Sequence, residues 1–266
     1  MSVDSDRRPD GVLTITLNRP AHSNAIDVNM ALALDALLQA VATDAAVRVV
    51  LLRGAGDDFS IGLDSADFGN TSLHGEQTLR AAQAALERSC ARSLRVLPQP
   101  VIALVQGVCA GAATSLVEAC DIVLCADDAR FFLPDAWAAQ ALSVTGAKAV
   151  SRVMAPRAAS FHALTGLALD GLQAARCGLA TLSVAPADLE REVQALAADL
   201  LAKDPLALQF TKETLRHVGS MDWDAVLNFN AAKFAELKAM QAGRPSPRAA
   251  AVESFLAGKS KPGLGR

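Results

Sequence analysis

The chain has 266 residues, long for one domain and short for two large ones, and its 52% hydrophobic against 20% charged content excludes wholesale disorder. Lys plus Arg number 25 and Asp plus Glu 28, a net charge of −3, so a basic nucleic-acid-binding face is excluded as the main theme. The five cysteines make no CxxC pair and the four histidines no HxxxH pair; a disulfide framework or a helical zinc site has no support, and a reducing cytoplasm fits best.

The chain opens on a polar, charged stretch with no apolar signal-peptide core. Val12 to Leu17 then alternates apolar and polar residues, as a strand does, and Asn18-Arg19-Pro20 ends it. From Asp27 to Ala42, residues Met30, Leu34, Leu37, Leu38 and Val41 recur at helical spacing, with Asp27 as the cap. Val47 to Leu52 is a short β-branched run expected to be a buried strand. A turn at 54–58 leads into a Gly- and Asp-rich loop from Phe59 to Gly75. Glu76 to Leu97 reads as one helix with Leu79, Ala82, Leu86 and Leu94 along a face, broken by Pro98-Gln99-Pro100.

Val101 to Val105 is a third buried strand, Ala112 to Ala119 a short helix after a small-residue turn, and Ile122 to Cys125 another strand. The apolar run from Val101 to Ala126 is interrupted by Gly107, Gly111, Glu118 and Asp121, so no membrane span is expected. Several helices follow Pro134, and Pro205 opens a helical last third richer in Lys and Glu. Strand, turn and helix thus recur, which predicts an α/β fold of sheets layered with helices. Residues 1–200 are expected as the core and 201–266 as a helical oligomerisation region.

Two segments have the composition of a ligand site. Phe59-Ser60-Ile61-Gly62-Leu63-Asp64 follows a strand, and Gln106 to Ala113 is a small-residue turn entering a helix. Small residues let a ligand approach the backbone, and a helix start presents free N–H groups and the positive end of its dipole. Such segments together could offer two donors to a developing oxyanion; taken alone, they are equally ordinary turns packing helix on sheet.

With Ile15 to Pro20, Asn24-Ala25, Pro100 to Gly107, Gly111, Ala119-Cys120-Asp121, Ala129 to Phe131, Pro134-Asp135, Leu164-Thr165-Gly166 and Ala174 to Leu179 in this order, the chain resembles the enoyl-CoA hydratase/isomerase (crotonase) superfamily from about Val12 to Pro262. The resemblance implies a crotonase-like spiral of repeated ββα units with a helical C-terminal trimerisation region, as a homotrimer or dimer of trimers. It implies an acyl-CoA thioester as substrate, with coenzyme A part of that substrate and no separate cofactor or metal.

The oxyanion-hole donors it implies are the N–H groups of Leu63 and Ala112, and the substrate-binding residues His22, Ala25, Asp64, Gly111 and Trp137. Many relatives carry glycine where Ala112 and Ala113 stand; alanine still donates its N–H if its backbone angles are right-handed or extended.

The acids depart from the family pattern. Ser115 stands where hydratases carry the first glutamate, and Asp135 takes the second position with a shorter side chain. Ala139, Ser143 and Thr145 replace common glycines and are expected to reshape the acyl pocket. Glu118, Asp67 and His74 are further acid–base candidates, each also readable as an ordinary structural or surface group. Lys233, Lys238 and Arg248 are candidates for coenzyme A phosphates, and equally solvated surface charges. Asp135 is expected to be the main acid–base residue, or else a helix cap after Pro134. One carboxylate favours double-bond isomerisation over water addition; an acyl-CoA binder with little or no turnover is the alternative, and carbon–carbon cleavage or decarboxylation a third reading.

Overall fold

The computed structural model describes residues 2–136, 141–243 and 247–258. Its class is the expected mixture of sheets and helices. β1 (Val3–Arg7) pairs antiparallel with β2 (Val12–Leu17). Only Val3 of β1 is buried, so the ladder to β2 rather than apolar burial makes this strand, and no hydrophobic pattern announces it. α1 (Val28–Val41) begins where Asp27 accepts the Met30 N–H at 2.6 Å, and it buries Met30, Leu34, Leu38 and Val41. β3 (Val49–Gly54) runs parallel to β2.

The expected loop 59–75 contains two single-turn helices, α2 (Ser65–Phe68) and α3 (Thr71–His74). Asp64 and Asn70 cap them by accepting the N–H of Asp67 and Leu73. Neither helix buries a residue, so neither has an apolar periodicity to read. The helix expected over 76–97 divides into α4 (Glu76–Arg88), a π turn at Ser89–Ser93 and α5 (Leu94–Val96). Ser89 lies buried there, its hydroxyl bonded to the Ala85 carbonyl at 3.0 Å.

β4 (Val101–Val105) is buried at every position, as a central parallel strand covered on both faces must be. β5 (Val108–Ala110), α6 (Ala112–Ala119), β6 (Ile122–Ala126) and β7 (Arg130–Phe132) follow. Then come α7 (Val144–Val153), α8 (Pro156–Thr165), β8 (Leu169–Asp170), α9 (Gly171–Cys177), β9 (Leu182–Val184) and α10 (Leu189–Leu201). Six strands form one sheet in the order β1-β2-β3-β4-β6-β9, parallel from β2 onward; β5-β7-β8 form a second. β4 with β5, and β6 with β7, each place one strand in the large sheet and the next in the small one before the chain turns helical. Strands of two or three residues such as β5, β7, β8 and β9 are too short to show alternation in the sequence.

The chain forms two compact units, Met1–Ala202 and Lys203–Arg266. Within the second, α11 (Pro205–Val218) and α12 (Trp223–Met240) start at the caps Asp204 and Asp222, and α13 (Pro247–Leu256) follows. Phe210 is the buried residue of α11; α12 buries none, and Trp223, Leu227 and Phe234 are exposed. Among the described residues no helix is long and apolar enough to cross a membrane.

Candidate active site

The residues from Asn18 to Val28 hold the site's first wall. Asn24 has φ of 54° and a fully buried side chain; its amide donates to the carbonyls of Ala55 and Asp58, both at 2.8 Å, and its oxygen accepts the Arg19 N–H at 2.9 Å. Asparagine is one of the few residues that takes a left-handed conformation readily. Arg19 reaches Asp27 at 3.2 Å and Asp64 at 3.1 Å, and donates to the Ala25 carbonyl at 2.6 Å. Ala25 is buried, whereas His22 stands exposed on a single turn.

Ser60 joins the Phe59–Asp64 segment to β5. Its N–H donates to the Val108 carbonyl and its carbonyl accepts the Ala110 N–H, both at 3.0 Å. The Ser60 hydroxyl donates to the Asn24 carbonyl at 2.7 Å and accepts the Gly62 N–H at 3.1 Å. Gly62 has φ of +87°, and a Cβ there would lie 2.6 Å from the Ala110 oxygen and 3.1 Å from the Ala112 nitrogen. Only glycine fits this contact, which is where the two predicted segments meet. Gly111 has φ of +53° and bonds through its N–H to the Phe132 carbonyl at 3.1 Å; a Cβ on it would merely touch Pro134 at 3.8 Å. Conformation rather than space requires glycine there.

Ala112 is the first residue of α6, so its backbone is right-handed helical and its N–H points out of the helix start. Neither this N–H nor that of Leu63 donates to an acceptor among the described residues. Ser115 lies one turn along α6, half-buried. Asp135 follows Pro134, the residue against Gly111; it is half-buried, with Oδ2 shielded from solvent and without a hydrogen-bond partner. It sits in a turn, and the next described helix, α7, is capped by Ser143 through the Gly146 N–H at 3.0 Å. The Phe59–Asp64 segment thus meets the chain at Ala110–Ala112, and Pro134 lies beside Gly111; Ser115 follows one turn along α6 and Asp135 follows Pro134. Trp137 and Ala139 lie outside the described residues.

Glu118 is 3% exposed, and neither carboxylate oxygen has a partner. Burial pushes its carboxyl up to about 8, against a weaker opposing pull from Arg95. Arg95 donates instead to the Glu118 main-chain carbonyl, at 3.3 Å. Asp67 and His74 bond directly, 2.7 Å from Oδ1 to Nε2, and Asp67 Oδ2 accepts the Val28 N–H at 2.9 Å. Burial also pushes the Cys90 thiol up to about 12 and raises that of Cys109, so neither is a ready nucleophile. Arg19, Asn24 and Ser60, quoted in the sequence only within motifs, hold the Phe59–Asp64 segment to its neighbours; polar residues close to a glycine turn were the available signal. Within the second unit, Lys233 pairs with Glu213 and Glu236, both at 2.8 Å, over the rings of Phe210 and Phe229. Its ammonium is engaged with carboxylates rather than presented to a phosphate.

The chain is similar to proteins and structures of known family. A hydroxycinnamoyl-CoA hydratase-lyase of Pseudomonas fluorescens is 29% identical over 261 residues, covering 96% of this chain and 92% of that protein. A 2,3-dehydroadipyl-CoA hydratase of Escherichia coli strain K12 is 33% identical over 210 residues, 79% of this chain and 80% of that one. A crystal structure of an enoyl-CoA hydratase from Mycobacterium smegmatis superposes with a TM-score of 0.84 at 28% identity, over 97% of each chain. The model of the family described as enoyl-CoA hydratase/isomerase matches residues 7–254, and to that family of acyl-CoA-processing enzymes the chain belongs.

Proposed function

We propose that the protein binds an acyl-CoA thioester, polarises its carbonyl with the N–H groups of Leu63 and Ala112, and moves a proton between carbons with Asp135. The observation that carries this reading is the pair of N–H groups without protein acceptors, on two segments in contact at Gly62. Fixed donors aimed at a developing oxyanion need no reorganisation as charge forms. In a 3-enoyl thioester the Asp135 carboxylate takes a proton from the α-carbon. The electron pair moves onto the thioester oxygen between the two N–H groups. Return of that proton to the γ-carbon leaves the double bond conjugated with the carbonyl.

Ser115 supplies no carboxylate to orient water, so isomerisation is favoured over hydration. A thioester enolate is also what carbon–carbon cleavage beside the carbonyl would release, and the relative named hydroxycinnamoyl-CoA hydratase-lyase makes that the second reading. Coenzyme A enters as part of the substrate, and no further cofactor is invoked. The active form is proposed to be a trimer or dimer of trimers in the cytoplasm, where the five free cysteines stay reduced.

The test is a panel of CoA thioesters, including 3-enoyl, 2-enoyl and aryl 2-enoyl members, read by mass and by double-bond position. A shifted double bond at constant mass supports isomerisation, a gain of water supports hydration, and a shorter thioester with an aldehyde supports cleavage. Tight binding with no change in any member would leave a non-catalytic acyl-CoA binder.

A further inference from the structure

We infer that Asp67 and His74 are positioning residues for the Leu63 N–H, closing a ring of hydrogen bonds around it; this rests on the donor role proposed for Leu63. The first part of the ring is main chain. The Ile26 N–H donates to the Gly62 carbonyl at 2.7 Å, and the Ile26 carbonyl accepts the Asp64 N–H at 2.9 Å. These two bonds fix the peptide planes on either side of Leu63. The second part is polar side chain. Val28 opens α1, so its N–H has no partner within the helix, and Asp67 Oδ2 accepts it at 2.9 Å. Asp67 lies one helical turn beyond Leu63, its own N–H returning to Asp64 Oδ1 at 3.2 Å. His74 Nε2 holds the other oxygen of Asp67 at 2.7 Å.

The start of α1 and the segment after Leu63 are thus tied twice, through Ile26 and through Asp67. The second tie matters because α2 and α3 bury no residue, so little apolar burial holds them in register. The pair is shielded, with 13% of the His74 side chain and 21% of the Asp67 side chain exposed. Such a bond is less weakened by solvent than an open surface pair. Burial raises the Asp67 carboxyl, but the bonds from His74 and Val28 and the charges of His74 and Arg19 outweigh it and hold the group below its ordinary range. Arg19, whose charge also acts on Asp67, is itself paired with Asp27 and Asp64. Protonated His74 makes the contact ionic. Neutral His74 with its proton on Nε2 keeps a hydrogen bond without the charge.

The experiment uses the full chain with two readouts: steady-state kinetics on whichever thioester it turns over, and amide hydrogen exchange at Ile26, Val28 and Asp64 without substrate. His74→Ala should lower kcat about tenfold with KM little changed, short of the roughly 10²–10³-fold cost of deleting an oxyanion donor. Exchange should accelerate at those three amides and not across the rest of the unit. His74→Gln, which offers Asp67 an amide N–H in place of the ring N–H, should recover most of the lost kcat and return exchange at the three amides toward wild type. Unchanged kcat and exchange in His74→Ala would overturn the inference. So would a loss that His74→Gln does not rescue and that comes with faster exchange everywhere, the mark of general destabilisation. If the wild type turns over no thioester, the exchange arm still decides for or against the ring, while the catalytic reading alone fails.

Discussion

The Leu63–Ala112 side of the proposed site is made of main chain, and the Ser115–Asp135 side is made of side chains. On the first side, what matters is where the backbone goes, so the constraints fall on glycines. Gly62 accepts no Cβ because the Ala110 carbonyl is there, and the N–H of Leu63 or Ala112 would be donated by any residue but proline. On the second side, what matters is which functional group is present, so one atom decides the chemistry. This chain accommodates alanine at 112 and 113 because α6 supplies a helical backbone there. It does not obtain a carboxylate from Ser115 by any backbone adjustment.

The largest effect is expected on the side-chain half. Asp135→Asn keeps the shape and loses the base, so double-bond migration should fall by about 10²–10⁴-fold while thioester affinity stays close to wild type. Single-turnover assays paired with calorimetric titration check both; undiminished turnover would move the acid elsewhere, with Glu118 next to test. The converse change, Ser115→Glu, should raise hydration of a short 2-enoyl-CoA.

On the main-chain half, Gly62→Ala should cost roughly 10²–10³-fold in kcat, because the new Cβ meets the Ala110 oxygen and forces the Leu63 N–H off target. Gly111→Ala is the control that sharpens the comparison. Its Cβ meets only Pro134, at 3.8 Å, so the cost is the strained backbone at φ 53° and ψ −125° alone, about 1–3 kcal/mol of stability. Equal losses of kcat from the two glycine substitutions would show that crowding at Gly62 is not what matters.

Glu118 breaks the division from a third direction, being a side chain buried with no partner. Its carboxyl is raised from 4.5 to about 8 in the folded chain, so between those values the unfolded chain releases a proton that the folded chain keeps. Its contribution to stability is therefore complete below about pH 4.5, declines by up to about 1.4 kcal/mol per pH unit as pH rises, and is gone above about pH 8. Glu118→Gln should flatten that part of the denaturation profile, gaining on the wild type as pH rises from 5 to 8, with little change in kcat. Urea titrations at several pH values check this; a parallel pH dependence in both proteins would refute it.

The smallest effect on the chemistry is expected from the helical unit. Trp223, Phe234, Val252 and Phe255 are 83%, 65%, 49% and 51% exposed, an apolar surface suited to contact between copies. Light scattering at micromolar concentration should give a multiple of the single-chain mass, and a monomer would contradict the proposed trimer.

Different elements were legible to different degrees. α1 was plain because a cap, a 3.6-residue period and a bounded length all agree over Asp27–Val41. β4 was plain because a run of five apolar residues sits between a proline break and a glycine turn. β1 was not, because its ladder, rather than its side chains, makes it a strand. The π turn was hidden because Ser89–Ser93 continues a helical composition without interruption. The bond between Asp67 and His74 spans two one-turn helices with no buried residue, so no pattern linked the two side chains.

By itself the sequence determined what is local and additive: caps, bounded apolar runs, glycines at forced turns, and a motif order dense enough to mark the family. Ser115 and Asp135 could be named because a side chain carries its identity with it. The tertiary structure alone decided which N–H groups are left without an acceptor, which carboxyl is buried alone at Glu118, and which loops meet at Gly62. Every residue except proline has the same N–H, so its availability is a property of what lies opposite it, and that is settled only when segments distant in the chain pack together.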